Sequence, residues 1–289
     1  MKANEILNCP LCGSKSNFLF ESKLKKNIFK CEDKKCSHLF TPINEFNQGV
    51  CQRIEDLELE SNQFLREFNG RNQRLTKFLL KNICSNKKNI SILDFGTGNA
   101  HLPRVMREII PKESVIYAFD AVKEYDLFYE RFGLNPIKDI DNIKANSLDL
   151  IIMTEVIEHI EYPIETLKSL KSKLKSNGKI FITTPGASET ESDTNAFDTV
   201  SHLHFFTEQS FEKLIKDSGF NNFSYLKPKL MQPQFFEPPF DKNKILRLYG
   251  KSKEITKKII TNYYFKKFFK KSKTKNNKKR IVHIIGFAQ

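Results

Sequence analysis

The chain has 289 residues and a mass of 33.7 kDa, enough for one large domain or two smaller ones. Hydrophobic residues make up 39% and charged residues 28%, which excludes disordered and collagen-like chains, and no apolar run reaches the ~18 residues of a membrane-spanning helix. The net charge of +14 comes from residues 241–280, which contain sixteen Lys and Arg but only two acidic residues. The rest of the chain is therefore neutral overall.

The N-terminal segment carries four cysteines in two close pairs. Cys9 and Cys12 form a C-x2-C pair that is followed by Gly13, and Cys31 and Cys36 form a wider C-x4-C pair. Four thiolates with this spacing are typical of a tetrahedral structural Zn²⁺ site, in which the metal supplies folding energy to a small module. No apolar segment of signal-peptide length precedes them, so we expect a cytoplasmic protein with reduced cysteines.

The region around and after these pairs offers fewer signals. His38 is a second candidate zinc ligand, because the C-x4-C gap is wider than usual. Apolar positions at near-helical spacing predict one or two helices in 50–84. Cys51 and Cys84 have no partner at a suitable spacing and are interpreted as ordinary buried residues.

From residue 89 onward, short apolar runs alternate with amphipathic stretches. This alternation is typical of an α/β fold with a doubly wound, mostly parallel sheet. Strands are predicted at ISILDF, SVIYAFD, LDLIIM, KIFITTP, FSYLK and IVHIIGFA, and helices at 102–110, 123–132, 163–174 and 207–218. The resulting domains are a zinc-ribbon-like module (1–42), a helical connector (43–88), the α/β domain (89–227 plus 281–289) and a basic aromatic insertion (228–280).

A glycine turn directly follows the first predicted strand of the α/β domain. Gly96 and Gly98 lie between that strand and a helix, where glycines let the backbone approach a ligand closely. Asp120 ends the next strand, and a carboxylate there can accept hydrogen bonds from both ribose hydroxyls. This arrangement predicts a nucleoside-type cofactor at the carboxyl edge of the sheet.

The residues around the turn favour one class of nucleoside cofactor. A dinucleotide site needs a third glycine where His101 stands, because pyrophosphate requires a helix N-terminus clear of side chains. Asp94, directly before the turn, would repel pyrophosphate but suits a cationic sulfonium with an ammonium group. The turn therefore favours S-adenosylmethionine.

A second cluster of candidate residues follows the strand LDLIIM. Glu155, Glu158 and His159 stand at i, i+3 and i+4, so a helical turn would present all three on one side. Three interpretations remain open: His159 is a general base, the three side chains bind a divalent metal, or Glu155 contacts the cofactor while the others are a polar helix start.

Two histidines further along the chain could complete that cluster. His202 and His204 follow the polar loop 186–200, a candidate lid over the substrate. They offer a fourth ligand in the metal interpretation, and the alternative is that they belong to a capped turn before the helix at 207–218.

The basic segment interleaves aromatic residues with lysines. Between residues 257 and 273, phenylalanines recur near helical spacing against lysine pairs. The pattern fits a helix packed on the protein body, a helix on an anionic membrane surface, or a nucleic-acid contact. Lysines greatly outnumber arginines, which disfavours bidentate phosphate recognition and makes nucleic acid the weaker partner prediction.

Five stretches of the chain form a recognisable set: LDFGTGNA (93–100), FD (119–120), LDLIIMTEVIEHI (148–160), LKSNGKIFITTP (174–185) and HLHFFTEQSFEKLIKDSGF (202–220). Taken together, they resemble class I S-adenosylmethionine-dependent methyltransferases, most closely the branch that contains ubiquinone-biosynthesis O-methyltransferases. The resemblance implies a Rossmann-like, seven-stranded sheet. It also implies cofactor contacts from Asp94, Gly96, Thr97, Gly98, Asp120 at the ribose, Asp139 near the adenine, and Glu155.

The turn Glu-x-x-Glu-His with a distant histidine is also similar to the metal sites of small-RNA 2′-O-methyltransferases and of magnesium-assisted ubiquinone O-methyltransferases. On this basis His159, Glu158 and His204 are the predicted catalytic residues, with Mg²⁺ or another divalent metal as an added cofactor. Ala100 stands where the family usually has its third glycine, and its small side chain is compatible with binding.

These observations predict methyl transfer to an oxygen, or a carbon, of a small molecule. The whole arrangement is similar to methyltransferases of sugar and surface-polysaccharide biosynthesis, so we expect a sugar or lipid-linked glycan precursor. An RNA methyltransferase of the metal-assisted 2′-O type and a non-catalytic cofactor-binding protein are the alternatives. The basic segment would bring the enzyme to the inner, anionic membrane surface.

Overall fold

Two β-sheets organise the residues that the computed structural model describes, namely 7–43, 71–83, 89–122, 125–187, 197, 199, 201–225 and 284–288. The elements in chain order are β1 (Leu7–Asn8), β2 (Lys15–Glu21), β3 (Asn27–Cys31), β4 (Leu39–Phe40), α1 (Arg71–Ile83), β5 (Ser91–Phe95), α2 (His101–Ile109), β6 (Val115–Phe119), α3 (Asp126–Arg131), β7 (Asn135–Pro136), β8 (Leu148–Thr154), α4 (Pro163–Lys173), β9 (Leu174–Thr184), β10 (His204–Phe205), α5 (Glu208–Asp217), β11 (Phe223–Tyr225) and β12 (Ile284–Ala288), with 3-10 turns at Ile140–Asn142 and Ile157–His159.

The larger sheet has seven strands in the order β11-β12-β9-β8-β5-β6-β7. The five strands from β9 to β7 pair in parallel, whereas β12 runs antiparallel to both of its neighbours. The strand β11 therefore has the same direction as those five. This topology confirms the prediction of a doubly wound, mostly parallel seven-stranded sheet.

Alternate residues of β8 supply the two faces of the sheet with buried side chains. Leu150 and Ile152 pack into one hydrophobic cluster with helices α1 and α2, and Ile151 and Met153 pack into another with helices α4 and α5. A strand that is buried on both faces requires an unbroken apolar run, which is why LDLIIM lacks a polar alternation. Burial of each such side chain contributes about 1.5–3 kcal/mol.

The predicted helices of the α/β domain are present with small differences at their ends. Helix α5 begins as its sequence indicated, because Thr207 and Ser210 bond to each other's backbone N–H in a capping box. Strand β9 starts five residues before the predicted KIFITTP, directly at the end of α4. Strand β7 has two residues, Asn135 and Pro136, and carried no recognisable strand pattern.

The residues that carry the four cysteines, 7–43, form a smaller antiparallel sheet that we call the cysteine module. Its order is β1-β2-β3-β4-β10, so its last strand comes from the far half of the chain. Strand β10 pairs with β4, with His204 opposite Phe40 and Phe205 opposite Leu39. The module's sheet is thus completed by residues that follow β9.

Several predictions concern residues outside the described ranges. These are the helices before residue 71, Cys51 and Cys84, most of the loop 186–200, and the basic segment 241–280. Within the described ranges, no helix is both long enough and apolar enough to cross a membrane.

The capping box gives a test of the fold. Replacement of Thr207 by Ala removes the acceptor for the Ser210 N–H, a hydrogen bond of 3.1 Å, at the start of α5. We expect the free energy of unfolding to fall by about 1 kcal/mol in urea denaturation. The variant Thr207→Ser keeps the hydroxyl and should remain close to wild type; equal stability of the Ala variant would contradict this assignment.

Candidate functional site

The parallel strands β5, β6 and β8 bring their carboxyl ends together at one edge of the larger sheet. The glycine turn follows β5 at this edge, and its glycines adopt φ values of +75° at Gly96 and +49° at Gly98. A Cβ atom at Gly96 would lie 2.9 Å from Cγ1 of Val156 and closer still to Cγ2. Only glycine therefore fits beside the segment that follows β8.

The glycine turn is hydrogen-bonded to the end of the neighbouring strand β6. The backbone N–H groups of Gly96 and Thr97 both donate to Phe119 O, at 2.8 and 3.0 Å. The Thr97 hydroxyl donates to Asp94 O at 2.8 Å and accepts from the Phe119 N–H at 3.1 Å. The role of Thr97 in the structure is therefore to shape the turn.

Asp120 lies beside the turn, as its place in the sequence indicated. Its two carboxylate oxygens accept from the Gly98 N–H at 2.8 Å and from the Val122 N–H at 3.0 Å. The Tyr129 hydroxyl donates to Gly98 O at 2.7 Å on the other side of the turn. Each carboxylate oxygen retains a lone pair for a further donor such as a ribose hydroxyl.

Asp94 is the second carboxyl group at this edge. It is buried, and burial together with the neighbouring Asp120 charge raises its pKa to about 8. A carboxyl group in this state is neutral at pH 7 unless a cation lies close to it. The site thus favours a ligand that carries positive charge.

Two other predicted cofactor residues have different surroundings. Asp139 is exposed and caps a 3-10 turn by accepting from the Asp141 N–H at 2.9 Å. Glu155 takes a left-handed backbone with φ of +56°, and its Oε1 accepts from the Thr183 hydroxyl at 2.7 Å. The backbone of Glu155 therefore breaks the helical turn that the spacing i, i+3, i+4 suggested.

Glu158 occupies the centre of the second cluster. Its side chain is 1% exposed, and its Oε2 accepts from the Thr184 hydroxyl at 2.9 Å. The other oxygen, Oε1, has no hydrogen-bond partner among the described residues. It lies 3.9 Å from Nε2 of His159 and 3.9 Å from Nε2 of His202.

The orientation of His159 determines which ring nitrogen faces Glu158. Its Nδ1 lies 2.7 Å from Ser201 O, and a carbonyl oxygen can only accept, so Nδ1 carries the proton. Nε2 therefore presents a lone pair toward Glu158. The rings of His159 and His202 meet edge to face, with centroids 4.7 Å apart.

The structure places His202, and not His204, beside Glu158 and His159. His204 is buried with Nε2 donating to Ile160 O at 2.8 Å, and its Nδ1 lies 2.9 Å from Nε2 of His38. His38 consequently bonds to His204 and lies outside the four-cysteine group. His38, a candidate zinc ligand, and His204, a candidate ligand of the second cluster, are thus hydrogen-bonded to each other in a buried pair.

Burial dominates the electrostatics of the cluster. It raises the pKa of Glu158 to about 8, with a further contribution from the Glu155 charge. Burial lowers the pKa of His159, and it lowers that of His202 to about 4. The nearby Lys26 charge adds to the lowering for both histidines, so both rings are neutral near pH 7.

Lys26 is a site neighbour that sequence inspection missed. It lies in the turn between β2 and β3, is 6% exposed, and its Nζ is 3.3 Å from His202 O. Nothing in the local sequence distinguishes it from the surrounding lysines, because its placement depends on how the hairpin packs.

The four cysteines converge in the cysteine module. The sulfur atoms of Cys9 and Cys36 lie 3.8 Å apart, those of Cys12 and Cys31 lie 3.4 Å apart, and all four fall within 4.8 Å of one another. The first pair turns through Gly13, whose N–H donates to Cys9 O at 2.8 Å.

The crowding of these thiols strongly perturbs their ionisation. Hydrogen bonding from Cys36 lowers the pKa of Cys9 to about 6, whereas burial raises that of Cys31 to about 12. Four sulfurs in this arrangement hold one negative charge readily and resist further charges in the absence of a cation. The donor set and its geometry fit a tetrahedral zinc ion.

Comparisons with known proteins identify the family. A family described as a methyltransferase domain matches residues 64–225, more than half of the chain. The tRNA U34 carboxymethyltransferase of Campylobacter fetus subsp. fetus (strain 82-40) is 26% identical over 197 residues, covering 60% of this chain and 66% of that relative, just under two thirds of its length.

One solved structure shares the fold of this chain, and a second one matches it more weakly. One is a complex between the Haloferax volcanii Trm112 methyltransferase activator and a methyltransferase, with 12% identity, TM-score 0.50, and coverage of 81% of this chain and 93% of that chain. Another is an SAM-dependent methyltransferase from Archaeoglobus fulgidus, with 16% identity, TM-score 0.45, and coverage of 75% and 94%.

The close contact at the glycine turn gives a testable prediction. The variant Gly96→Ala places a methyl group against Val156 in a left-handed backbone, so we expect a lower melting temperature and at least about tenfold weaker S-adenosylhomocysteine binding in calorimetry. The double variant Gly96→Ala/Val156→Ala removes the two closest contacts, leaves Cβ of Val156 at 3.2 Å and keeps the backbone strain, so it should recover part of the loss. Wild-type affinity in the single variant would contradict the assignment.

Proposed function

Since the chain belongs to the methyltransferase-domain family, we propose that it transfers a methyl group to a hydroxyl oxygen of its acceptor beside Glu158, His159 and His202. The chain is an S-adenosylmethionine-dependent methyltransferase. The observation that supports this choice of acceptor is Oε1 of Glu158, which is buried without a hydrogen-bond partner in the described part of the chain and lies 3.9 Å from two neutral imidazole nitrogens.

The cofactor would lie along the edge formed by the glycine turn and the end of β6. The backbone of Gly96 and Gly98 would line its methionine part, and Asp120 would accept from the ribose hydroxyls. Asp94 would face the positive charge of the cofactor, because a buried carboxyl with a pKa of about 8 is stabilised as a carboxylate only by a nearby cation.

His159 is the general base in this proposal. Its Nδ1 proton is held by Ser201 O, so Nε2 is free to take a proton, and its lowered pKa keeps it neutral. The side chain is 31% exposed, which leaves the ring accessible to an acceptor. The Glu158 carboxyl group would stabilise the imidazolium that forms.

Methyl transfer needs only the acceptor hydroxyl, the cofactor and His159 as reacting groups. The acceptor oxygen attacks the methyl carbon in line with the sulfur, a C–O bond forms, and the S–C bond breaks with its electron pair remaining on sulfur. The hydroxyl proton passes to Nε2 of His159. Correct placement of the two reactants supplies much of the rate, since the sulfonium methyl is already activated.

The same three side chains also fit a divalent metal ion, the second candidate for hydroxyl activation. Their donor atoms fall within 4.8 Å of one another, and Oε2 of Glu158 and Nδ1 of His159 are hydrogen-bonded to Thr184 and Ser201, as the outer atoms of metal ligands commonly are. Two imidazoles and a carboxylate suit Mn²⁺, Fe²⁺, Co²⁺ or Zn²⁺ better than Mg²⁺. A bound ion would act as a Lewis acid on the hydroxyl.

The acceptor class is the finer part of the proposal. We favour a small-molecule hydroxyl, such as that of a sugar or lipid-linked glycan precursor, with contact to an anionic membrane through the basic segment 241–280. An RNA acceptor is the second candidate, because the relative from Campylobacter fetus is named for tRNA modification.

Zinc in the cysteine module is part of the proposal. Zn–S bonds of about 2.3 Å in a tetrahedron separate the sulfurs by about 3.8 Å, close to the spacing of Cys9 and Cys36. Four protein ligands leave no open position, so this ion would have a structural role. We expect one zinc per chain in the purified protein.

Proton release on cofactor binding tests the role of Asp94. Because Asp94 is neutral below pH 8 and a cationic cofactor favours its carboxylate, binding at pH 6.5–7 should release about one proton. Calorimetry of S-adenosylmethionine binding in buffers of different ionisation enthalpy measures this number. The variant Asp94→Asn should release about one proton fewer, and equal release by both proteins would exclude this role.

Turnover of the His159→Gln and Glu158→Gln variants tests the base. We expect methyl transfer to fall by about 10²- to 10⁴-fold, while the affinity for S-adenosylhomocysteine stays within about twofold. The matched control Glu212→Gln, which breaks an exposed ion pair with Lys216, should keep wild-type turnover. Full activity of His159→Gln would contradict the proposal. If the wild-type protein binds a second metal ion per chain in addition to zinc, and the Glu158→Gln variant does not, the metal is favoured over the base.

The acceptor class is tested with a methyl-labelled cofactor. An extract of the native cells, separated into small-molecule, lipid and RNA fractions, is incubated with the enzyme and S-adenosylmethionine. We expect label in the small-molecule or lipid fraction and none with His159→Gln. Label confined to RNA, with binding that weakens steeply as salt rises, would establish the second candidate instead.

A further inference from the structure

The cysteine module contacts the segments that carry Glu158, His159 and His202, the cluster proposed for methyl transfer. Strand β4 pairs directly with β10, and the Thr41 N–H donates to Leu203 O at 3.0 Å. The segment 201–205, which carries His202, is therefore bonded to the module at its last three residues, Leu203, His204 and Phe205.

A buried hydrogen-bonded chain connects the module to the turn that carries Glu158 and His159. Because Ile160 O can only accept, His204 carries its proton on Nε2, and its Nδ1 must then accept from Nε2 of His38 at 2.9 Å. Both rings are almost fully buried. His38 is thus hydrogen-bonded to His204, and His204 is hydrogen-bonded to Ile160 O, directly after the 3-10 turn Ile157–His159.

Lys26 provides a second connection, to the segment that carries His202. Its hairpin turn is closed by a hydrogen bond from the Ser22 N–H to Lys26 O at 2.8 Å, and its Nζ lies 3.3 Å from His202 O. Lys26 is 6% exposed as a residue, and burying a charged side chain is costly unless its ammonium group has polar partners. The contact with His202 O is one such partner and links the hairpin turn to the segment that carries His202.

The two segments also bond to each other. The Leu203 N–H donates to Glu158 O at 2.9 Å, and His159 Nδ1 donates to Ser201 O at 2.7 Å. The relative placement of Glu158, His159 and His202 thus depends on four sets of bonds, three of which come from the module: the β4–β10 pairing, the His38–His204 pair and the Lys26 contact. The glycine turn, in contrast, is held by Phe119, Asp120 and Tyr129 from the larger sheet and helix α3.

From this arrangement we infer that His38 and Lys26 are positioning residues for the Glu158–His159–His202 cluster. The inference rests on the proposed function of that cluster. Its consequence is a separation of effects: a defect in either module residue impairs methyl transfer and leaves cofactor binding intact. The module would then be an integral part of the transfer site, contributed by the N-terminal end of the chain.

Paired variants of each residue test this inference in the full chain with its zinc. His38→Leu and Lys26→Met remove the connections, whereas His38→Gln and Lys26→Arg keep a donor at the same place. We expect kcat to fall at least about tenfold in the first pair and to stay within about threefold of wild type in the second. The dissociation constant of S-adenosylhomocysteine and the zinc content should be unchanged in all four, as in the control Lys35→Met.

A spectroscopic measurement separates this inference from the proposed function. The chain has six histidines, so selective ¹⁵N labelling of their rings allows His159 and His202 to be followed individually. We expect their ring signals to move in His38→Leu and Lys26→Met, while the amide signals of Gly96 and Gly98 stay in place.

Unchanged ring signals, or a loss of cofactor affinity that parallels the loss of turnover, would overturn the inference. Moved ring signals together with an active His159→Gln enzyme would instead overturn the proposed base and leave the positioning role standing. If His38→Leu does not fold, Lys26→Met alone decides the question, because its replacement keeps the length of the side chain.

Discussion

The parallel pairing of β5 with both β6 and β8 is the constraint on which the site depends. Parallel strands end at the same edge, so the glycine turn, Asp120 and the segment after Thr154 must meet there. The contact between Gly96 and Val156 makes this convergence tight. A cofactor on the turn would consequently lie beside the residues that follow β8.

Burial raises the pKa values of two carboxyl groups at this edge of the sheet. Asp94 and Glu158 are both carboxyl groups taken out of water, and each has a pKa of about 8 as a result. Such groups are costly in a fold and favour ligands that bring positive charge or a proton to them. A sulfonium cofactor would bring positive charge to Asp94, and a protonated His159 would bring it to Glu158. The first carboxyl group therefore suits cofactor binding, and the second suits removal of the proton from the acceptor hydroxyl.

Local patterns predicted the parts of the site that depend on neighbouring residues in the chain. The strand–glycine–helix order located Gly96 and Asp120, the cysteine spacing located the four-sulfur cluster, and Thr207 marked the start of α5. The choice of His202 over His204 could not be predicted, because it depends on the pairing of β4 with β10. Lys26 lies at the site for the same non-local reason, and Glu155 combines its left-handed backbone with a hydrogen bond from its N–H to Thr183 O of β9, a strand distant in sequence.

A crystal structure of the full chain with S-adenosylhomocysteine tests the central claim most directly. The account predicts ribose hydroxyls on Asp120, the amino group near Asp94, and the sulfur atom directed at the space in front of His159. A cofactor bound at another edge of the sheet, or one whose sulfur faces away from Glu158, His159 and His202, would contradict it.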